Sequence, residues 1–187
     1  MRVVLLASGQ GSLASAVIDA VKSGNLSLEI AGVISDKDSP VLSIAERAGI
    51  PNYFLPLRGE RSQWDQELFH LTELLLPHLV VSLGFMRILT PAFIHRFRAI
   101  NSHPSLLPQF PGAHAVRDAL AAGVAESGTT IHWIDEGVDT GEIIATCRVP
   151  IQPGDSETTL HERIKIVERV LIVEVLNSFV KNGLPEK

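Results

Sequence analysis

The chain has a single cysteine, Cys147, in 187 residues, so no disulfide closes within it. Cys147 lies in an apolar segment, and its expected state is a small buried hydrophobe. No apolar run approaches the roughly 20 residues that span a bilayer. The start, Met1-Arg2-Val3-Val4-Leu5-Leu6-Ala7, has too short an apolar core for a secretory signal, which needs roughly 7–15 such residues. It reads better as a buried first strand, and the cytoplasm is the expected location. Basic residues are scattered, and a formal charge of −5 gives no electrostatic reason to expect nucleic-acid binding. No histidines or cysteines stand at metal-ligand spacing, so no metal is expected. No linker, repeat or low-complexity tract divides the chain, and residues 1–187 are expected to form one domain.

What is present is strand–helix alternation. Val3–Ala7, Glu29–Ser35 and Asn52–Leu55 read as strands. Leu13–Ser23, Pro40–Ala48 and Arg61–Leu76 read as helices, the second opening on proline and stopped by Gly49. Leu79–Leu83 is a continuous apolar run of the kind buried on both faces in a parallel sheet. The spacing predicts an α/β fold with a single doubly wound, mostly parallel sheet flanked by helices. The second half is less regular. Arg98–Ser102, Thr129–Ile134 and Glu142–Val149 read as strands. Pro104-Ser105-Leu106-Leu107-Pro108-Gln109-Phe110-Pro111-Gly112 is too proline-rich to be helical. A last helix, Glu157–Val180, carries Leu160, Ile164, Val167, Leu171, Val175 and Phe179 on one stripe, with Asp155 or Ser156 as its cap.

Three segments carry candidate chemistry. Ser8-Gly9-Gln10-Gly11-Ser12 stands where the first strand turns into the first helix. There it is either a tight turn or a cradle for an anion at the helix N-terminus. It matches neither the dinucleotide fingerprint nor a phosphate loop ending in Gly-Lys-Ser/Thr. Asn101-Ser102-His103 lies at the carboxyl end of a predicted parallel strand, where open α/β sheets place their sites. The pleat points Asn101 and His103 the same way. An amide donor beside an imidazole can hold an oxyanion and move a proton. The alternative is a histidine hydrogen-bonded in a turn. Asp139 sits in the acidic loop Asp135–Gly141 between two strands. Brought to His103, its carboxylate is expected to raise the imidazole pKa and fix its tautomer. Asp135 and Glu136 read as solvated loop charges, and His132 as support rather than chemistry. Trp64 and Trp133 read as packing residues.

In order along the chain stand Ser8-Gly9-Gln10-Gly11-Ser12, Gly84-Phe85-Met86-Arg87-Ile88-Leu89, Asn101-Ser102-His103-Pro104-Ser105-Leu106-Leu107-Pro108, Pro111-Gly112 and Asp139-Thr140-Gly141. Together they resemble the phosphoribosylglycinamide formyltransferase family of folate-dependent enzymes, from Met1 to about Phe179. The resemblance implies a co-substrate, 10-formyltetrahydrofolate, whose formyl group passes to the amine of 5'-phosphoribosylglycinamide in purine synthesis. It implies that Asn101 and protonated His103 hold the oxyanion while Asp139 tunes the histidine and orders a water. Gly11, Ser12 and Leu13 match the phosphate-holding backbone, and Glu168 matches an acidic contact to the glycinamide substrate. Met86, Arg87, Ile88 and Leu89 match the lining of the pterin pocket, with Arg61 and Asn101 as further folate contacts.

Gln10 and Leu13 depart from the family's asparagines, which leaves the phosphate contacts to the backbone. Small-molecule substrates, no nucleic acid, no membrane, and a monomer or homodimer are the implied partners. The methionyl-tRNA and formyltetrahydrofolate-hydrolysing relatives carry a further domain and fit this acidic chain less well. Length alone does not separate it from sugar-nucleotide formyltransferases. A non-catalytic phosphate-binding module on the same fold is the alternative of a different class.

Overall fold

The computed structural model describes residues 1–185. Seven strands make one sheet: β1 (Arg2–Leu6), β2 (Glu29–Ser35), β3 (Asn52–Phe54), β4 (Leu79–Ser82), β5 (Ala99–His103), β6 (Glu126–Trp133) and β7 (Ile143–Pro150). In space they run β3-β2-β1-β4-β5-β6-β7. The first five are parallel, while β6 is antiparallel to β5 and β7 to β6. The helices are α1 (Ser12–Lys22), α2 (Pro40–Arg47), α3 (Arg61–Leu74), α4 (Pro91–Arg96), α5 (Ala115–Ala121) and α6 (Glu157–Asn182).

The apolar runs of the parallel strands feed two cores. Val3, Leu5, Val33, Val81 and Ile100 face α1 and α6, where they meet Val17, Ile18, Ile172 and Leu176. The alternate residues Val4, Leu6, Ile34, Val80 and Ala99 face α3 and α4, where they meet Trp64, Leu68 and Phe93. A strand covered on both faces needs an apolar residue at every position, hence runs without alternation. Each fully buried aliphatic side chain contributes about 1.5–3 kcal/mol.

Several expectations are corrected. Helices α4 and α5 were not anticipated; they are six and seven residues long, too short for a helical period to register. Strand β6 begins at Glu126, three residues before the expected Thr129. Cys147 is only partly buried, because β7 is the outer strand of the sheet. On α6 the stripe steps by four in mid-helix, so Glu168 and Ile172 are buried rather than Val167 and Leu171. Ser156, not Asp155, caps that helix: its hydroxyl accepts from Thr159 N, while Thr159 Oγ1 accepts from Ser156 N at 2.9 Å. Asp155 instead accepts from Arg163 Nη1 at 2.7 Å.

The site follows from the topology. β2 and β4 lie on opposite sides of β1, so their connections leave in opposite directions and open a crevice at the carboxyl ends. The loops after β1 and β4 flank it, joined where Ser8 N donates to Gly84 O at 3.2 Å. No helix among the described residues is long and apolar enough to cross a membrane.

Candidate active site

Asn101 and His103 close strand β5, and Asp139 reaches them from the loop between β6 and β7. Asp139 Oδ2 lies 3.3 Å from His103 Nδ1. Its Oδ1 lies 3.5 Å from both Asn101 Nδ2 and His132 Nε2. His103 Nε2 donates to the Phe110 carbonyl at 2.9 Å. A carbonyl only accepts, so this bond fixes the tautomer and turns Nδ1 towards the carboxylate. Phe110 has φ 54, and the proline-rich loop that holds it also anchors Ser105, whose hydroxyl donates to Gln109 O at 2.6 Å.

Two residues of the cluster were missed as site residues. His132 pairs with Asn101 across the β5–β6 ladder. It stands 3.3 Å from Asn101 Nδ2 through its Nε2, and its Nδ1 donates to Trp133 O at 2.8 Å. It is 2% exposed and faces the trio. Ser82, the β4 partner of Asn101, donates to Asn101 Oδ1 at 2.8 Å. That bond orients the amide with its NH₂ towards Asp139. Strand periodicity was the available signal: β6 residues of one parity face the same side as Asn101 and His103.

The Asp135–Gly141 loop is folded to present its carboxylate. Asp139 has φ 56, a left-handed conformation that aspartate tolerates better than most residues. Its Oδ2 accepts from Gly112 N at 2.7 Å, tying the loop to the proline-rich segment. Asp135 and Glu136 are exposed, as expected of loop charges, and each also has a bonding partner. Asp135 Oδ1 accepts from Thr140 Oγ1 at 2.8 Å and from Gly137 N at 3.1 Å. Glu136 pairs with His95 at 3.0 Å. At Gly141 a Cβ would stand 1.7 Å from the Trp133 carbonyl, so only glycine fits there.

Asp139 gives His103 the upward pull expected of it, but burial is the larger influence. Burial pushes the His103 imidazole below its ordinary pKa; the Phe110 carbonyl and Asp139 push it up, and His132 pulls it down. The carboxylate favours the imidazolium, but desolvation wins, so the ring rests neutral near pH 7. For Asp139, burial acts upward but is outweighed by hydrogen bonding with His132 and with the Gly112 N–H and by the electrostatic pull of the two neighbouring imidazole rings. The result lies below the usual carboxylate range. A neutral base thus faces an ionised carboxylate.

The remaining sequence candidates fall into three places. Gly11, at φ 78, is the N-cap of α1, and the first backbone N–H groups of that helix have no intrahelical partner. Ser12 is half-buried there, whereas the Leu13 side chain packs into the core and offers only its backbone. In the segment after β4, Met86 and Ile88 are exposed and Leu89 is buried. Arg61 donates to the Ile88 carbonyl, and its guanidinium lies 5.2 Å from the Trp64 ring centroid. Arg87 Nε pairs with Asp36 Oδ2 at 2.7 Å.

Glu168 is not brought to the trio. It lies on the α6 side of the sheet, 3% exposed, and its Oε1 accepts from Ser102 at 2.7 Å and from Thr129 at 3.4 Å. Burial raises its pKa, against the pull of those hydroxyls and of Lys165 and Arg169. Among the described residues no group of three or more His, Cys, Asp or Glu is placed to hold a metal ion.

An amide, an imidazole and a carboxylate at the carboxyl edge of a doubly wound sheet are groups that acyl transfer can use. The sequence profile described as formyl transferase matches residues 1–176, and the chain belongs to the formyl transferase family. Within that family its relatives are specific. It is 44% identical over 187 residues to the phosphoribosylglycinamide formyltransferase of Mycobacterium tuberculosis, covering 98% of this chain and 86% of the relative. It is 38% identical over 189 residues to the Escherichia coli protein of that name, covering 98% and 89%. The crystal structure of glycinamide ribonucleotide transformylase 1 from Symbiobacterium toebii matches with a TM-score of 0.95 at 34% identity, covering 100% of this chain and 91% of that one.

Proposed function

We propose that this enzyme transfers the formyl group of 10-formyltetrahydrofolate to the amine of 5'-phosphoribosylglycinamide. The products are formylglycinamide ribonucleotide and tetrahydrofolate, in de novo purine biosynthesis. The observation that carries the reading is the approach of Asp139 Oδ2 to His103 Nδ1, 3.3 Å, beside an oriented Asn101, in a chain whose relatives are named for this reaction.

The amine attacks the formyl carbon, forming the new C–N bond and an oxyanion. Asn101 Nδ2 donates to that oxygen; its present contacts at 3.3 and 3.5 Å are long enough to yield to a better acceptor. Neutral His103 takes the amine's proton at Nδ1, directly or through water, and the imidazolium formed is stabilised by Asp139. The charged histidine then supports the oxyanion and returns the proton to the folate nitrogen as the old C–N bond breaks. The histidine therefore gains its proton during the reaction, rather than entering protonated. The chemistry as drawn needs no metal.

The backbone N–H groups at Gly11, Ser12 and Leu13 bind the substrate phosphate, favoured by the α1 dipole. Met86, Arg87, Ile88 and Leu89, with Arg61 and Asn101, form the folate side. Met86 and Ile88 offer apolar surface, and Leu89 contributes through its backbone. The free oxygen of Glu168, Oε2, is left for the glycinamide substrate. The enzyme works in the cytoplasm on small molecules, as a monomer or homodimer.

The test is an assay with glycinamide ribonucleotide and 10-formyltetrahydrofolate, following loss of the formyl donor by absorbance. Turnover with that amine and none with amino-sugar nucleotides is expected. The opposite preference would make the chain a sugar-nucleotide enzyme, and no turnover with either would make it a binding module.

A further inference from the structure

A buried carboxylate outside the trio links the two proposed substrate sites. Asp36 follows strand β2 and is 4% exposed. Its Oδ1 accepts from Ser8 Oγ at 2.5 Å and its Oδ2 from Arg87 Nε at 2.7 Å. Ser8 Oγ in turn accepts from Met86 N at 3.0 Å. The contacts form a closed ring: Arg87 to Asp36, Asp36 to Ser8, Ser8 to Met86, and Met86 to Arg87 through one peptide bond. The ring clamps the carboxyl ends of β1, β2 and β4 together. Ser8 opens the turn that ends at Gly11 and Ser12, and Met86–Leu89 is the folate segment. A carboxylate buried this deeply is tolerated only where its oxygens are satisfied, so the ring holds one arrangement.

We propose that Asp36 is a positioning residue that holds the phosphate loop and the folate segment in register, so that both substrates meet a preformed site. The inference rests on the proposed function. It also reassigns Arg87: with Nε committed to Asp36, its guanidinium serves first to anchor the segment that carries it.

The test is steady-state kinetics with both substrates on Asp36→Ala, Asp36→Asn and Ser8→Ala, each checked for folding by circular dichroism. Asp36→Ala raises the KM of both substrates by about tenfold, in the range of coupled networks, with kcat within about threefold. Asn at the same position can accept from Arg87 with its oxygen and donate to Ser8 with its nitrogen, so Asp36→Asn restores most of the loss. Ser8→Ala raises both KM values, and combined with Asp36→Ala it adds little, because both break one ring. Folded Asp36→Ala or Ser8→Ala protein with unchanged KM values would overturn the proposal, as would a loss confined to kcat. Absence of turnover in the unaltered enzyme would instead overturn the proposed function, which keeps the two failures distinct.

Discussion

Replacing Asp139 with Asn removes a charge while keeping shape and an acceptor oxygen. That oxygen can still take the Gly112 N–H, now at 2.7 Å, so the loop is expected to hold. What is lost is the attraction between the carboxylate and the imidazolium that forms on His103. At 3.3 Å and an effective dielectric of about 20, that attraction is about 5 kcal/mol as an upper bound. The amide dipole and nearby water recover part of it. A net loss of about 2–3 kcal/mol corresponds to a fall in kcat of about 30- to 160-fold. The pH profile adds a sign. Activity requires neutral His103, so the acid limb of kcat/KM follows its pKa, which burial holds below its ordinary value despite the lift from Asp139. Removing the carboxylate removes an upward influence, so the limb moves to still lower pH even as the maximum rate drops. The assay is steady-state turnover from pH 5 to 9 on both proteins. A limb that stays fixed or moves up, or turnover within about threefold of the parent, would refute the assignment.

Other perturbations test neighbouring parts of the account. Asn101→Ala removes the oxyanion donor, worth about 2.7–4 kcal/mol, and lowers kcat at least about a hundredfold in the same assay. Ser82→Ala frees the Asn101 amide to rotate and costs kcat about three- to tenfold, with KM unchanged. Gly11→Ala forces a left-handed alanine whose Cβ stands 2.8 Å from Val41. A destabilisation of about 1–3 kcal/mol, seen by thermal melting, accompanies a raised KM for the phosphorylated amine. Glu168 has its pKa raised in the fold, so the folded state keeps that proton to higher pH than the unfolded chain. Its contribution to stability is fully present below the unfolded pKa of about 4.3 and lost as pH rises through the folded value. Glu168→Gln therefore melts at a higher temperature than the parent at pH 8, the gap closing towards pH 4, while KM for the glycinamide substrate rises.

The parallel half of the fold was legible because its strands are buried on both faces and its helices are long enough to show a period. β2 was bounded at Glu29–Ser35 as found, and α3 ended two residues early at Leu74. Where tertiary contacts decide, the pattern was silent. α4 is capped by Thr90, whose hydroxyl accepts from Phe93 N at 3.3 Å, but six residues carry no periodic signature. The pairing of Asn101 with His103 was legible from the pleat of β5, since residues two apart share a face. The arrival of Asp139 was not, because it depends on the β5–β6 register and on a left-handed turn within the loop. His132 was undervalued for the same reason: its orientation is set by its place opposite Asn101. Glu168 was legible as a position, but not as a buried acceptor. Its burial comes from a four-residue step on α6, and hydroxyls on two strands satisfy it.

The central claim is that His103 and Asp139 act as one unit, and a double-mutant cycle on kcat tests it most directly. His103→Ala, Asp139→Asn and their combination are compared under one set of conditions. If the carboxylate works through the imidazole, the double variant lies within about threefold of His103→Ala alone. If the two losses multiply, each side chain acts separately, and the account is contradicted.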